Sequence, residues 1–119
     1  MNKFISFGDG PYRESVKRIE KQILRTKLFD YIKTYNFDNI GNDFSNRYGR
    51  FIEFNKNTPR GSHGFWIWKL HIIFEEIMRS KNEDVIFYID AGCHINQKNL
   101  PRLEILIDIT KALPDDRFA

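Results

Sequence analysis

The chain has 119 residues, of which 41% are apolar and 29% charged, and its formal net charge is +3. This length suits one modest domain with a single core, and the balance of apolar and charged residues is that of an ordinary globular protein. The single cysteine excludes an internal disulfide, no apolar run approaches the ~20 residues of a membrane span, and the polar N-terminus excludes a signal peptide, so we expect a reduced, cytoplasmic chain.

The first predicted elements are a strand, a turn and a helix. Lys3–Phe7 is short, apolar and rich in β-prone residues, which is typical of a strand. Glycine and proline at 8–11 predict a turn, in which Asp9 or Gly10 caps a helix that has Pro11 in its first turn. Apolar residues then recur at helical spacing: Val16, Ile19, Ile23 and Leu24. This order is the opening of an α/β unit.

The middle of the chain has a weaker pattern. Residues 28–34 alternate with a period of two, which indicates a strand, although both of its faces carry apolar groups. Residues 36–64 are rich in Asn, Gly, Asp and Arg, and they predict one short helix near Asp43–Tyr48 and a turn at Thr58–Gly61. Connections of this length are typical of functional or mobile segments.

The last third predicts a helix, a strand and a helix. Phe65–Arg79 has apolar residues at helical spacing, and the nearly continuous apolar run Asp84–Ile89 predicts a strand that is buried on both faces. Asn99 can cap a last helix, whose predicted inner face is formed by Leu103, Leu106, Ile107 and Thr110. The whole order predicts an α/β fold with a short, mostly parallel sheet flanked by helices.

Asp90 stands where the last strand is predicted to end. In open α/β sheets, ligands bind outside the carboxyl ends of the strands. The small residues Ala91 and Gly92 leave room for a ligand near the backbone, and a carboxylate there can bind a divalent cation or a ribose hydroxyl. A turn in which Asp90 is only a capping residue fits the same pattern, and periodicity alone favours that interpretation.

Two blocks of sequence carry a resemblance to a known family: RGSHGFWIWK at 60–69 and IFYIDAGCHIN at 86–96. They are similar to a group of bacterial and viral glycosyltransferase-like proteins, whose pattern reads G-Y-W-I-W-K-P, a helix, and a strand that ends Y-L-D-A-G-C-x-I-N. The opening of the chain matches the family's spacing at Phe7, Gly8, Tyr12, Ser15, Arg18 and Ile19. The resemblance spans essentially the whole chain, and it implies a partial GT-A fold, the Rossmann-like nucleotide-binding half of a glycosyltransferase.

This resemblance implies that the chain binds a nucleotide-diphosphate sugar donor, for transfer to a glycan acceptor in surface polysaccharide or lipopolysaccharide synthesis. Asp90 matches the first carboxylate of the family's D-x-D motif, which grips a divalent cation, Mn²⁺ or Mg²⁺, whereas Gly92 stands in place of the second. His94 or Asn96 substitutes as a metal ligand, or the diphosphate mainly holds the metal, or no metal is used. The donor-binding candidates are Phe7, Gly8, Arg60, Trp68, Lys69, Asp90, Ala91 and Gly92.

Several of these candidates have a second interpretation. Arg60 and Lys69 can neutralise diphosphate charge, but each equally fits a solvated surface cation. Two residues of one helix that are two positions apart do not share a face, so we expect Trp66 in the core and Trp68 towards the ligand. Gly8 either lets a base lie against the backbone or serves a strand-to-helix turn. The cysteine at 93 is expected to be a small buried packing residue.

The resemblance also predicts how the chain is organised. Residues 1–119 are expected to be one domain, the N-terminal donor-binding half, while a C-terminal half that this sequence lacks binds the acceptor. We therefore expect little sugar transfer from the chain alone, because catalysis needs donor and acceptor held together. Apolar surface left for the second half predicts self-association. A cytoplasmic location, with peripheral attachment at the inner membrane face, is implied.

Two other classes of function stay open. A non-catalytic remnant or interaction module of the same fold is favoured by the missing second carboxylate. A nucleic-acid-binding module is suggested by the isoelectric point near 9.0 and by the aromatic and basic block at 60–69, since aromatic side chains stack on bases. Acidic residues are interspersed along most of the chain, which disfavours nucleic acid as a partner.

Overall fold

A computed structural model describes residues 1–113, except the side chains of residues 62, 63 and 65. Within these residues, one parallel sheet has the strand order β2-β1-β3, formed by β1 (Asn2–Phe7), β2 (Tyr31–Tyr35) and β3 (Val85–Tyr88). The α-helices are α1 (Arg13–Thr26), α2 (Asn42–Asn55), α3 (Ile67–Arg79) and α4 (Leu100–Ala112). The predicted α/β fold with a short parallel sheet flanked by helices is confirmed.

The side chains of β1 alternate between two cores on opposite faces of the sheet. Phe4 packs with the apolar face of α1, whereas Ile5 and Phe7 pack with residues of α2 and α3, including Phe44 and Ile72. This arrangement follows from chain direction, because the connection through α1 and the connection through α2 and α3 cross the sheet in opposite senses. Right-handed crossovers of opposite sense lie on opposite faces.

The turn between β1 and α1 forms as its sequence predicts. The Asp9 carboxylate caps a short 3-10 helix, Gly10–Tyr12, by accepting a hydrogen bond from the Gly10 amide at 2.6 Å, and a proline lies in the first turn. Helix α1 then buries three residues of the predicted face, Val16, Ile19 and Ile23. Leu24, which belongs to the same apolar pattern, is exposed because it lies next to Ile23 in sequence and therefore about 100° further around the helix.

The prediction that the last strand is buried on both faces is wrong. β3 is an edge strand of the described sheet, and only Val85 in it is buried, while Ile86, Phe87 and Tyr88 are half-buried. The central position belongs to β1, which pairs with both other strands. An apolar run indicates that a strand packs against helices, but it does not show which strands pair with it. The edge or central position of a strand depends on strands that are distant in the sequence.

The predicted strand at 28–34 and the predicted short helix at 43–48 have different bounds in the structure. β2 begins only at Tyr31. The residue before it, Asp30, lies outside the strand, and its carboxylate accepts a hydrogen bond from the Asn2 amide at 2.8 Å. α2 is longer than predicted and ends at Asn55. Its apolar residues at a spacing of four contact the core: Phe44, Tyr48 and Ile52. Gly49 and several Asn and Ser residues hide this pattern in the sequence.

The two C-terminal helices leave much apolar surface exposed. α3 begins at Ile67, after a 3-10 helix at Gly61–Trp66, and buries His71, Ile72 and Glu76. Its predicted apolar residues point largely to the outside, where the exposed face of α3 is formed by Leu70, Phe74, Ile77 and Met78. In α4 only Ile107 of the predicted inner face is buried. No helix within residues 1–113 is both long and apolar enough to cross a membrane.

Candidate functional site

A cleft of about 620 Å³ opens at the carboxyl ends of β1 and β3. The chain leaves β1 towards β2 on one side and reaches β3 on the other, so the cleft lies at the point where the strand order reverses. Ligands of open α/β sheets bind at such switch points. The lining residues are Phe7, Gly8, Asp9, Gly10, Pro11, Tyr12, Phe37, Trp66, Trp68, Asp90, Ala91 and Gly92.

Six of the eight predicted donor-binding residues line this cleft: Phe7, Gly8, Trp68, Asp90, Ala91 and Gly92. They come from three segments that are far apart in the sequence, and parallel pairing of β1 with β3 brings the first and last of these segments together. Lys69 contacts Asp90 directly, as described below. Arg60 lies elsewhere, because it is exposed at the start of the 3-10 helix Gly61–Trp66 and is not among the lining residues.

Asp90, Ala91 and Gly92 form what we call the floor of the cleft. Asp90 is the more exposed of the charged side chains that line the cleft, Asp9 and Asp90. Its Oδ1 atom accepts a hydrogen bond from the Tyr88 hydroxyl at 2.8 Å and lies 3.1 Å from Nζ of Lys69, while its side chain remains 56% exposed. Partial burial disfavours ionisation of Asp90, but the hydrogen bond from Tyr88 and the ion pair with Lys69 outweigh burial and lower its pKa. Asp90 is therefore a carboxylate at neutral pH.

Tyr88 supplies a neutral donor to this carboxylate. Burial, and secondly its hydrogen bond to Asp90, raise the pKa of the Tyr88 hydroxyl above its ordinary value, so the hydroxyl keeps its proton at neutral pH. The ring of Tyr88 has a further role, because Nζ of Lys69 lies 5.3 Å from its centre and 5.9 Å from the ring of Trp68. Such distances allow cation–π attraction. Lys69 is thus held between one carboxylate and two aromatic rings.

Stacked aromatic rings form one wall of the cleft. Trp68 lies almost parallel to Phe7, with ring centres 4.1 Å apart and an angle of 13° between the planes, and Phe37 meets Phe7 edge to face at 5.1 Å. Helix α3 positions Trp68, and the end of β1 positions Phe7. Because both elements belong to the same core, this wall is built before any ligand arrives.

The prediction that Trp66 lies in the core is wrong. Its side chain is 41% exposed and lines the cleft. Its backbone has a φ of 58°, in the left-handed region, between the 3-10 helix and the start of α3. A bulky residue in this conformation costs about 1–3 kcal/mol, and such strain clusters at ligand sites. The break in helical geometry places Trp66 and Trp68 on the same cleft, which simple helix spacing does not predict.

Three polar residues that sequence reasoning did not assign to the site fix the segment that follows β3. The Arg18 guanidinium donates to the carbonyl oxygens of Ala91 at 2.9 Å and of residue 93 at 2.7 Å. Oε1 of Gln22 accepts from the Ile95 amide at 2.8 Å, and the Ser6 hydroxyl donates to the carbonyl of residue 89 at 2.6 Å. The signal was present in α1, where Arg18 and Gln22 are four residues apart on one face.

The same contacts expose the cysteine of this segment. Cys93 was expected to be buried, but it is exposed, because Arg18 holds its backbone at the surface of α1. Its amide donates to the carbonyl of Asp90 at 3.0 Å, which closes a turn directly after the carboxylate. The predicted strand-end turn is therefore present at Asp90, and because its side chain also lines the cleft, this turn does not exclude a role in ligand binding.

The two glycines of the cleft have different reasons to be glycine. A Cβ atom on Gly8 would lie 2.5 Å from the carbonyl oxygen of Tyr12 and 2.9 Å from Cβ of Val16, so the entry to α1 leaves no room for a side chain. A Cβ atom on Gly92 would meet no atom of the described residues within 4 Å. Gly8 is thus required by packing, whereas Gly92 leaves open space at the floor of the cleft.

The predicted metal ligands do not meet around one point of the cleft. The Nδ1 atom of His94 lies 3.4 Å from Nε2 of Gln22, and the Asn96 side chain accepts from the Lys98 amide at 3.0 Å. Neither residue belongs to the cleft lining. No group of three or more His, Cys, Asp or Glu side chains suited to a metal ion occurs in the part of the chain that the structure describes.

Comparison with protein-family models, with curated proteins and with solved structures finds no match to this chain. The family resemblance of the two sequence blocks therefore stays a prediction.

Proposed function

We propose that the cleft binds a nucleotide-diphosphate sugar and that the chain is the donor-binding half of a GT-A-like glycosyltransferase. One observation carries this proposal: six predicted donor-binding residues, from three distant segments, line a single cleft at the strand-order reversal. A cleft of about 620 Å³ is within the range of small-molecule sites, about 300–1,000 Å³. The family resemblance of residues 60–69 and 86–96 supports the same class of ligand.

Each part of the proposed donor has a suitable partner among the side chains in and beside the cleft. A planar base suits the exposed Trp66 and the half-buried Trp68, which the buried ring of Phe7 supports, because aromatic faces stack on bases. The ammonium of Lys69 suits the diphosphate, and the carboxylate of Asp90 suits hydroxyl groups of the ribose or the sugar. The resemblance implies that Mn²⁺ or Mg²⁺ accompanies the diphosphate at Asp90, and the candidate for a further ligand, His94, does not line the cleft.

Sugar transfer would need more than this cleft. The proposal assigns donor binding to the residues above and assigns the glycan acceptor, in surface polysaccharide assembly, to a second half of the enzyme. We propose a cytoplasmic or peripheral inner-membrane location, where such donors are consumed. The exposed face of α3 supports self-association of the isolated chain, because apolar patches of this kind mark protein contacts.

Binding is tested by thermal unfolding and calorimetry of the purified chain with UDP, GDP, ADP, CDP and dTDP, and with their sugar conjugates. A ligand at ~100 times its dissociation constant stabilises the fold by about 2.7 kcal/mol. Gly92→Leu fills the floor of the cleft, and Gly49→Leu on α2 is its matched control, because a Cβ atom on either glycine meets nothing within 4 Å. We expect one nucleotide to stabilise the wild type and the control but not Gly92→Leu. Cooperative unfolding that no nucleotide shifts would contradict the proposal.

A non-catalytic module of the same fold is the second candidate. The family motif has two carboxylates, whereas among the described lining residues Asp90 is the one exposed carboxylate, and it is paired with Lys69. This difference favours the second candidate. This candidate predicts a cooperatively folded chain that binds no sugar nucleotide. Binding of RNA or DNA that weakens steeply with salt, with no nucleotide binding, would favour the nucleic-acid-binding class instead.

A further inference from the structure

Among the described residues, two carboxylates line the cleft, and the fold uses most of the acceptor sites of one of them. Oδ1 of Asp9 accepts hydrogen bonds from the Gly10 amide at 2.6 Å and from Nε of Arg13 at 2.9 Å, and Oδ2 accepts from the Phe37 amide at 2.7 Å. These contacts tie the start of α1 to the segment after β2. Asp9 therefore holds two loops together, and hydrogen bonds within the fold already use three of its about four acceptor sites.

The other carboxylate, Asp90, faces an ammonium group. Its Oδ1 atom is already shared by the Tyr88 hydroxyl and Lys69, and Gly92 provides no second carboxylate. A divalent cation bound to Asp90 would lie within a few ångströms of the Lys69 ammonium, and like charges at that distance repel. Mg²⁺ takes a nearly octahedral shell of oxygen atoms, which one or two carboxylates, water and phosphate usually share. The described lining offers this shell one accessible carboxylate, which is already paired with an ammonium, and that donor set does not fit a divalent cation resident in the cleft before the diphosphate arrives.

Lys69 has the geometry of a prepared cation. Its ammonium carries three N–H donors, and one carboxylate and two aromatic rings hold it in place: Asp90, Tyr88 and Trp68. Its side chain remains 34% exposed, and although Lys69 is not itself a lining residue, its ammonium lies 3.1 Å from the carboxylate of Asp90, which lines the cleft. An exposed ion pair of this kind contributes little to folding, so replacement of Lys69 should leave the fold intact.

We propose that Lys69 is the cation that receives the diphosphate of the donor, and that nucleotide binding in this cleft is independent of divalent metal. Asp90 and Tyr88 are then positioning residues, which hold the ammonium at the carboxyl end of β3. Lysine binds phosphate as a point charge, so a single well-placed ammonium suffices for this role. The inference rests on the proposed donor binding, and it names the counter-ion of the diphosphate.

The test is calorimetric titration of the purified chain with the nucleoside diphosphate that stabilises it best, in EDTA and again in Mn²⁺ or Mg²⁺. Lys69→Met removes the charge but keeps an apolar stem, and Lys17→Met is the matched control, since Lys17 forms an exposed ion pair with Glu14 at 3.4 Å on α1. We expect equal affinity in EDTA and in metal. We also expect loss of about tenfold or more in Lys69→Met alone, because a charge-assisted hydrogen bond is lost.

Asp90→Asn separates the two roles of the carboxylate. If Asp90 only positions Lys69, its Asn variant keeps an oxygen atom that accepts from the ammonium and removes a negative charge beside the phosphates, so metal-free binding persists and still requires Lys69. If Asp90 is a metal ligand, the same variant loses binding, and the wild type binds only with Mn²⁺ or Mg²⁺; this outcome overturns the inference and leaves donor binding intact. Metal-free binding that Lys69→Met does not weaken overturns the role of Lys69. No nucleotide binding under any condition overturns donor binding itself.

Discussion

The ammonium nitrogen of Lys3 on β1 lies 3.1 Å from Oε1 of Glu76 on α3, and both residues are buried. Glu76 also accepts from Arg79 at 3.0 Å, and Lys3 also donates to the Ser80 hydroxyl at 3.0 Å. This network attaches α3 to the centre of the sheet through a polar face. It explains why the more apolar side of α3 is directed outwards, although the helix has apolar residues all around.

Breaking this buried pair should strongly destabilise the fold. Glu76→Gln removes the nearer of two carboxylates from the buried Lys3 ammonium and leaves Asp84 at 3.6 Å, so the loss should approach the about 3–5 kcal/mol of a broken buried pair. Replacing both partners, as Lys3→Met with Glu76→Leu, removes both charges and should recover much of the stability. Denaturant unfolding of the two variants and the wild type measures the difference. A single variant as stable as the wild type would show that the network is dispensable.

The fold was predictable where local periodicity determines it. The strand–turn–helix at the N-terminus has a strand pattern, a capping aspartate and a helical stripe within 26 residues, and the structure follows it closely. The orientation of α3 was not predictable, because one distant lysine selects the face that carries Glu76. The edge position of β3 was not predictable either, since it depends on pairing with a strand more than 80 residues away.

The candidate site also has residues that the sequence predicts and residues that it does not. Asp90, Phe7 and Gly8 could be brought together from the sequence, because the carboxyl ends of parallel strands meet at one edge of the sheet. The spacing of Arg18 and Gln22 places them on one face of α1, but it does not predict which distant backbone groups they contact, because hydrogen bonds to carbonyls 73 and 75 residues away leave no periodic pattern. Trp66 was misassigned because its left-handed backbone departs from the helical spacing on which the prediction depended.

Gly8→Ala should destabilise the chain, whereas Gly92→Ala should not. The added methyl group at position 8 would collide with the Tyr12 carbonyl and with Val16, and overpacking of this kind costs about 1–3 kcal/mol. At position 92 the methyl group enters open space. Urea unfolding of both variants measures the difference, and Gly92→Ala serves as the matched control. Equal stability of the two variants would show that the entry to α1 can move to make room at Gly8.

Acid should weaken the fold through Asp84, just before β3. The Lys81 amide donates to its Oδ2 atom at 2.9 Å and the N-terminal ammonium contacts Oδ1, and these contacts lower its pKa from 3.8 to about 2. Because the pKa is lower in the folded state, the stabilisation is present above pH 4 and is lost as the pH falls towards 2. Between pH 5 and 2, the free energy of unfolding should fall less steeply in Asp84→Asn than in the wild type, as measured by denaturant unfolding. An unchanged decline would exclude Asp84 as a source of acid sensitivity.

The exposed face of α3 should make the isolated chain self-associate. Leu70 and Met78 are 72% and 69% exposed and lie eight residues apart, so they share one side of the helix. Leu70→Gln with Met78→Gln should shift the protein towards monomer without lowering its stability, because neither side chain is buried in the monomer. Leu24→Gln on α1, where a leucine is 58% exposed outside this face, is the control. Sedimentation velocity across a concentration series measures the distribution. A wild type that stays monomeric at high concentration would contradict a role for this face. A Leu24→Gln variant that shifts the protein towards monomer to the same extent would also contradict it, because scattered exposed leucines are ordinary and only a continuous patch drives association.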